Sequence, residues 1–255
     1  QFEVNYTFSD ALTSCDRHIM VRMAGSEIAN EMGLICSFMP KPFSEKTGNG
    51  MHIHLSITNE HGTNIFHDDS DKHGMGLSSM AYHFIAGLME HGRALCAFAA
   101  PTVNSYKRLI VGSSMSGATW SPAYISYGDN NRSAMIRVPY GRLEYRLADG
   151  SCNPYLVHAA LIAAGLDGIE RRLVAGEPQN INHYGQTQHA LAKLGIDMLP
   201  QNLSEALSAL DENSVLRGAL GDRLIDEFIR VKRMEWIESQ SQVSEWELNH
   251  YVEMF

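Results

Sequence analysis

The period of the apolar residues changes along this chain, and that change constrains the fold more than any single motif does. Met51-His52-Ile53-His54-Leu55-Ser56-Ile57 and Leu143-Glu144-Tyr145-Arg146-Leu147 alternate apolar with polar residues. This is the period of a strand with one face in the core and the other outside it. Phe2, Val4, Tyr6 and Phe8 alternate in the same way with Glu3, Asn5 and Thr7, which predicts a strand from the first residue. Leu34 to Met39 and Ala134 to Val138 read as two more. Asp10 to Met32 reads instead as a long helix, with Ser9 and Asp10 as candidate N-caps and Gly33 as its stop. Leu77 to Ala99 reads as another, and past Asn153-Pro154 the pattern is helical near 154–173, 203–211, 220–240 and 243–254. The Gly- and Ser-rich stretch from Val111 to Asn131 has no clear period and reads as a functional loop. Strands in front and helices behind define an α+β class, an antiparallel sheet flanked by helices. A chain seldom opens inside a sheet, so the alternation at 1–8 predicts a longer protein of which this is the carboxy-terminal part.

Composition removes whole classes of function. The chain has 255 residues, enough for one large domain or two small ones, and 44% of them are hydrophobic, so wholesale disorder is excluded. Twenty Lys+Arg against 29 Asp+Glu leave a net charge of −9, which argues against a general nucleic-acid binder but not against local anion binding by a few arginines. The best apolar run, Ala159 to Ala164, is far short of the roughly 18 residues of a membrane helix. Cys15, Cys36, Cys96 and Cys152 show neither CxxC spacing nor scaffold density, so free thiols in a cytoplasmic protein are expected.

Three groups of residues can carry chemistry. His52 and His54, two apart on one strand, point to one face; such a pair fits a polar half-exposed face, a metal site or a phosphate contact. Glu144 and Arg146 share the same geometry, and alone they fit a surface ion pair worth little. With Glu3 added, a Glu/His/Glu face would suit a hard cation such as Mg²⁺ or Mn²⁺. Arg108, Arg132, Arg137, Arg142 and Arg146 fall within 39 positions. Singly each fits a solvated basic edge; as a set they point to a site that handles carboxylate or phosphate. Asp68-Asp69-Ser70-Asp71 lacks EF-hand spacing and reads as a solvated loop.

Several segments then coincide with one family. Phe38-Met39-Pro40-Lys41-Pro42, Gly50-Met51-His52-Ile53-His54-Leu55-Ser56, Asn104-Ser105-Tyr106-Lys107-Arg108-Leu109, Asn131 to Pro139, Glu144-Tyr145-Arg146, Asn153-Pro154-Tyr155-Leu156 and Ala164-Gly165-Leu166-Asp167-Gly168 resemble, in order, the motifs of glutamine synthetases. The resemblance covers essentially the whole chain and implies the catalytic domain of that fold, guanido-kinase-like, with a β-grasp domain before residue 1. It implies Glu3 as ligand of a first divalent metal, and His52 and Glu144 as ligands of a second. Gly48, His52, Arg108 and Arg146 match positions that bind glutamate. His54, Ser56, Arg132, Arg137 and Arg142 match positions around ATP and its phosphates, with Arg108 and Arg132 placed closest to the reacting groups. The implied partners are glutamate, ATP, Mg²⁺ or Mn²⁺ and a small amine, in a homo-oligomer built as a double-ring dodecamer. The implied chemistry makes γ-glutamyl phosphate, which an amine then converts to an amide.

Two departures sharpen the expectation. Ser114 stands where the family has a flap Glu, and Thr47 where it usually has Asn. The flap around Ser114 resembles that of the type III branch, which includes γ-glutamylmethylamide synthetases, and this implies that methylamine competes with or replaces ammonia as nitrogen donor. An ammonia-only glutamine synthetase and a non-catalytic relative are the alternatives. Tyr184 lies near the family's adenylylated tyrosine and reads as structural here.

Overall fold

The computed structural model describes residues 1–111 and 120–255. Ser114 therefore lies outside the described residues. Four short strands, β1 (Ile53–Leu55), β2 (Tyr127–Asp129), β3 (Ile136–Val138) and β4 (Leu143–Tyr145), form one sheet in the order β1-β4-β3-β2. β4 is antiparallel to both β1 and β3, but β2 runs parallel to β3. The sheet is thus mixed, a correction to the antiparallel sheet expected from the sequence. Its cause is β2, which lies in the stretch read as an unpatterned loop. Tyr127-Gly128-Asp129 has no alternation, and a Cβ on Gly128 would lie 2.3 Å from the Gln179 carbonyl oxygen. That position must be glycine for the edge strand to meet the neighbouring loop. β3 and β4 are joined by a tight turn in which Tyr140 (φ 51°) and Gly141 (φ 69°) are both left-handed, as a primed hairpin turn requires.

The helices are α1 (Ala11–Glu31), α2 (Ser79–Glu90), α3 (Gly92–Ala99), α4 (Pro154–Glu170), α5 (Gln188–Lys193), α6 (Leu203–Asp211), α7 (Ser214–Leu220), α8 (Asp222–Gln240) and α9 (Glu245–Tyr251). Asp10 caps α1 by accepting from the Thr13 N–H at 2.9 Å, as read from the sequence. The single helix expected over 77–99 is two, broken at His91. The His91 ring is held between Asp167 Oδ2 (2.9 Å) and the Asn213 side-chain amide (2.9 Å). These tertiary bonds turn the chain at a point where its apolar period is uninterrupted. Residues 1–8 and 34–39 form no strand ladder, and Phe2, Phe8 and Ile35 are exposed. Alternation fixes which side chains share a face, but a ladder also needs a neighbouring strand, and none of the described residues supplies one.

The core lies between the apolar sheet face and the helices. Tyr127, Ile136, Val138, Leu143 and Tyr145 meet Leu88, Leu95, Phe98, Val157, Leu161, Leu207 and Leu210, all essentially without solvent contact. α2 packs along α4 at backbone distance. A Cβ on Gly87 would sit 2.1 Å from the Ala164 carbonyl oxygen, and one on Gly168 would sit 2.2 Å from that of His83. Among the described residues no helix is long and apolar enough to cross a membrane.

Candidate active site

The antiparallel register of β1 and β4 pairs Ile53 with Tyr145 and His54 with Glu144, and β3 places Arg137 beside Glu144 on the other side. Side chains alternate between faces, so His52, His54 and Ser56 share the face of Arg142, Glu144 and Arg146, with Arg137 completing the row. The opposite face of these strands is core. One side of a four-stranded sheet therefore gathers two histidines, a carboxylate and three guanidinium groups.

Glu144 is the hub. Its Oε2 accepts from Arg137 Nη1 at 2.7 Å, and its Oε1 accepts from Arg146 Nη1 and lies 3.2 Å from His52 Nδ1. The side chains of Glu144 and Arg146 are each only 3% exposed, so the surface ion pair that the spacing also allowed is in fact buried. Burial works against the charged carboxylate. The His52 hydrogen bond, the Arg146 charge and the Arg137 hydrogen bond outweigh it and bring the Glu144 carboxyl down to about 2. Burial draws Arg146 below its ordinary value, with Glu144 opposing. Burial also lowers His54; Glu144 opposes this and Arg142, 3.3 Å away through Nε, reinforces it.

Arg108 is delivered by a short 3₁₀ turn, Val103–Lys107, closed by a capping box from Thr102 and Ser105. Its guanidinium donates to the carbonyls of Leu147 and Ala148, the latter at 3.0 Å, and to Ser121 Oγ at 3.1 Å. Asp149, wholly buried, opposes the desolvation of Arg108 electrostatically. The Nε groups of Arg108 and Arg146 are buried and find no acceptor among the described residues. Gly48 lies against Arg108: a Cβ there would meet the Pro40 carbonyl oxygen at 2.5 Å and Arg108 Cγ at 3.0 Å. Thr47 Oγ1 donates to the Gln1 side-chain oxygen, and Gln1 Nε2 donates to the Gly48 carbonyl at 2.7 Å. Arg132 is exposed and stands 5.8 Å above the Trp120 ring, at cation–π distance.

The fold thus brings together His52, His54, Arg137, Arg142, Glu144 and Arg146, with Arg108 and Gly48 at the β4 end. Ser56, just past the end of β1, is exposed. Glu3 is on the exposed amino-terminal segment and does not join His52 and Glu144. Among the described residues no three His, Cys, Asp or Glu side chains could hold a metal together. His52 and Glu144 alone offer two donors, which fits a hard divalent ion that completes its shell with water and phosphate oxygens. The acidic 68–71 loop is structural: Asp71 Oδ2 accepts from the N–H groups of Met75 and Leu77 and from Tyr82 Oη.

Reading the sequence alone misses Asn130, Trp120, Ser121 and Asp149. Asn130 (φ 47°) accepts two bonds from Arg137, at 3.1 and 2.6 Å. The Asn pair at 130–131 was its signal, since asparagine tolerates a left-handed backbone. Trp120 and Ser121 carry no local signal at all.

Guanidinium groups ordered by one buried, ionised carboxylate on a sheet face are chemically suited to binding carboxylate or phosphate. The chain matches the family "Glutamine synthetase, catalytic domain" over residues 1–251 and belongs to it. It is 59% identical over 255 residues to a glutamate–methylamine ligase of Methyloversatilis universalis, covering 100% of this chain and 57% of that one. A glutamine synthetase of Halobacterium salinarum is 41% identical over 260 residues, covering 100% of this chain and 56% of its own. Among solved structures, GmaS in complex with ADP superposes with a TM-score of 0.89 at 44% identity, covering 98% of this chain and 56% of that one. Ligand-free GmaS gives a TM-score of 0.83 at 42% identity, covering 97% and 55%. The chain spans about half the length of the curated relatives it matches.

Proposed function

We propose that the protein containing this chain is an ATP-dependent glutamate–amine ligase that forms a γ-glutamyl amide through γ-glutamyl phosphate, with methylamine used in preference to or alongside ammonia. The observation that carries the reaction class is the Glu144 hub, where one ionised carboxylate orders Arg137, Arg146 and His52 on a single sheet face. The amine preference rests on the 59% identity to a glutamate–methylamine ligase and on Ser114 in place of a carboxylate.

In this reading Arg108 and Arg146, with Gly48 and His52, hold glutamate. Their buried Nε groups offer donors to its carboxylates, and the fixed guanidinium plane orients the γ-carboxylate. Arg132 and Arg137 face the transferred phosphoryl group, and His54, Ser56 and Arg142 line the nucleotide. Attack by the γ-carboxylate on the γ-phosphate of ATP brings anions together, so positive charge must be in place beforehand. Arginines already locked by Glu144, Asn130 and backbone carbonyls provide it without reorganising. Attack by the amine on the acyl carbon of γ-glutamyl phosphate, with loss of a proton from the nitrogen, then expels phosphate, again toward Arg132 and Arg137. His52 and Glu144 would hold a divalent ion, Mg²⁺ or Mn²⁺, and Glu3 another with ligands beyond the described residues. Such an ion would neutralise phosphate charge. A cytoplasmic homo-oligomer, built as a double-ring dodecamer, belongs to the same proposal.

ADP release by the complete protein with glutamate, ATP and Mg²⁺ is measured with methylamine, ethylamine and ammonia in turn. The reading expects release that depends on glutamate and is fastest with methylamine. Strong preference for ammonia refutes the amine assignment, and no glutamate-dependent release refutes the ligase.

A further inference from the structure

Two residues ahead of β2, Trp120 and Ser121, touch three of the five arginines. The Trp120 carbonyl accepts from Arg146 Nη2 at 3.0 Å, the Trp120 ring lies under Arg132, and Ser121 Oγ accepts from Arg108 Nη1 at 3.1 Å. Neither residue is in a helix or strand, so no regular ladder fixes this dipeptide. What holds it is Tyr184, whose hydroxyl donates to the Ser121 carbonyl. Tyr184 is itself rigidly based. It belongs to the 3₁₀ turn His183–Gly185, capped by Asn182. His183, fully buried, clasps Ser133: its N–H donates to Ser133 Oγ at 3.2 Å, and its Nδ1 lies 3.2 Å from both Ser133 Oγ and the Ser133 carbonyl. Ser133 is the residue after Arg132. The Asn131 amide ties the same loop to the carbonyls of Gln179 and Ile181, at 2.6 and 2.9 Å.

We propose that Tyr184 is a positioning residue: acting through Ser121 and Trp120, its hydroxyl sets Arg108 and Arg146 for the carboxylates of glutamate. The role rests on the assignment of those arginines to glutamate in the proposed function. Burial raises the phenol above its ordinary value against the opposing charges of Arg146 and Arg108, so the hydroxyl remains a proton donor at neutral pH. Arg108 also has two carbonyl partners at the end of β4, and Arg146 has Glu144. Losing the Tyr184 contact therefore loosens the arginines without freeing them. The effect belongs in glutamate affinity and not in the stability of the fold.

The test uses the complete protein, with Tyr184→Phe, which keeps the ring and removes the donor, Ser121→Ala, which removes the Arg108 contact, and the double variant. Glutamate binding is measured by calorimetry, KM for glutamate and for ATP by ADP release, and Tm by thermal denaturation. Each single variant should raise glutamate Kd and KM about threefold to tenfold, the worth of one hydrogen bond. ATP KM and Tm should stay unchanged, and the double variant should be no worse than the weaker single, because both cut one path. Unchanged glutamate affinity in Tyr184→Phe overturns the proposal. So does an equal loss for ATP, a fall in Tm that tracks the loss, or additive effects in the double variant. Wild-type protein that neither binds glutamate nor releases ADP with it refutes the function itself, and the positioning role with it.

Discussion

Replacing Glu144 by Ala removes the one acceptor shared by Arg146, Arg137 and His52. Arg137 has a side chain 21% exposed and keeps both bonds to Asn130, so it can turn toward water. Arg146 has no such escape: its side chain is 3% exposed, and among the described residues it keeps only the Trp120 carbonyl and a 3.4 Å contact with His52. An uncompensated buried charge of this kind costs about 3–5 kcal/mol. At roughly 2–4 °C per kcal/mol for a protein of this size, Tm should fall by about 6–20 °C. Glu144→Leu with Arg146→Met replaces the pair by apolar groups of similar bulk. That double variant should lose clearly less than the sum of the single losses, with a coupling of about 1–3 kcal/mol. Thermal denaturation of wild type, Glu144→Leu, Arg146→Met and the double variant at neutral pH and fixed salt completes the cycle, with Glu144→Ala measured alongside. A Tm change under about 3 °C for Glu144→Ala, or additivity within about 0.5 kcal/mol, would refute the account of Glu144 as an electrostatic hub.

Arg108→Lys should raise glutamate KM at least about tenfold with ATP KM little changed, since one ammonium cannot reach Ser121 Oγ and two carbonyls in the guanidinium's fork; steady-state kinetics checks it. Gly48→Ala drives a Cβ to 2.5 Å from the Pro40 carbonyl oxygen and 3.0 Å from Arg108 Cγ, so it should displace Arg108 and weaken glutamate binding by calorimetry. Gly87→Ala meets the Ala164 carbonyl oxygen at 2.1 Å and should cost about 1–3 kcal/mol in chemical denaturation by forcing α2 from α4. Burial disfavours the cations of His18, His158 and His183 and lowers all three. The unfolded chain then takes up protons first, so stability is full above about pH 6.5 and falls as pH drops through that value. Glu144 acts lower: its contribution is present above the ordinary carboxylate range and is lost as pH falls toward about 2. Denaturation midpoints at pH 7.5, 5.5 and 4 should fall in that order, and His183→Gln should flatten the first step.

The sequence by itself determined which residues could share a face. Alternation placed His52 with His54 and Glu144 with Arg146, because side-chain direction in a strand depends only on local geometry. The cap at the start of α1 and the helix at 203–211 were legible for the same reason. Motif order identified the family. Only the tertiary structure decided that Glu144 and Arg146 are buried and not a surface pair, since burial depends on what covers a strand. It also decided that β2 joins parallel to β3, that His91 breaks a continuous apolar helix, and that residues 1–8 have no ladder among the described residues. Each of these turns on a partner far away in the chain. Trp120, Ser121 and Tyr184 show this most plainly: a carbonyl, a hydroxyl and a phenol become a brace for arginines only where the fold brings residue 184 against residue 121.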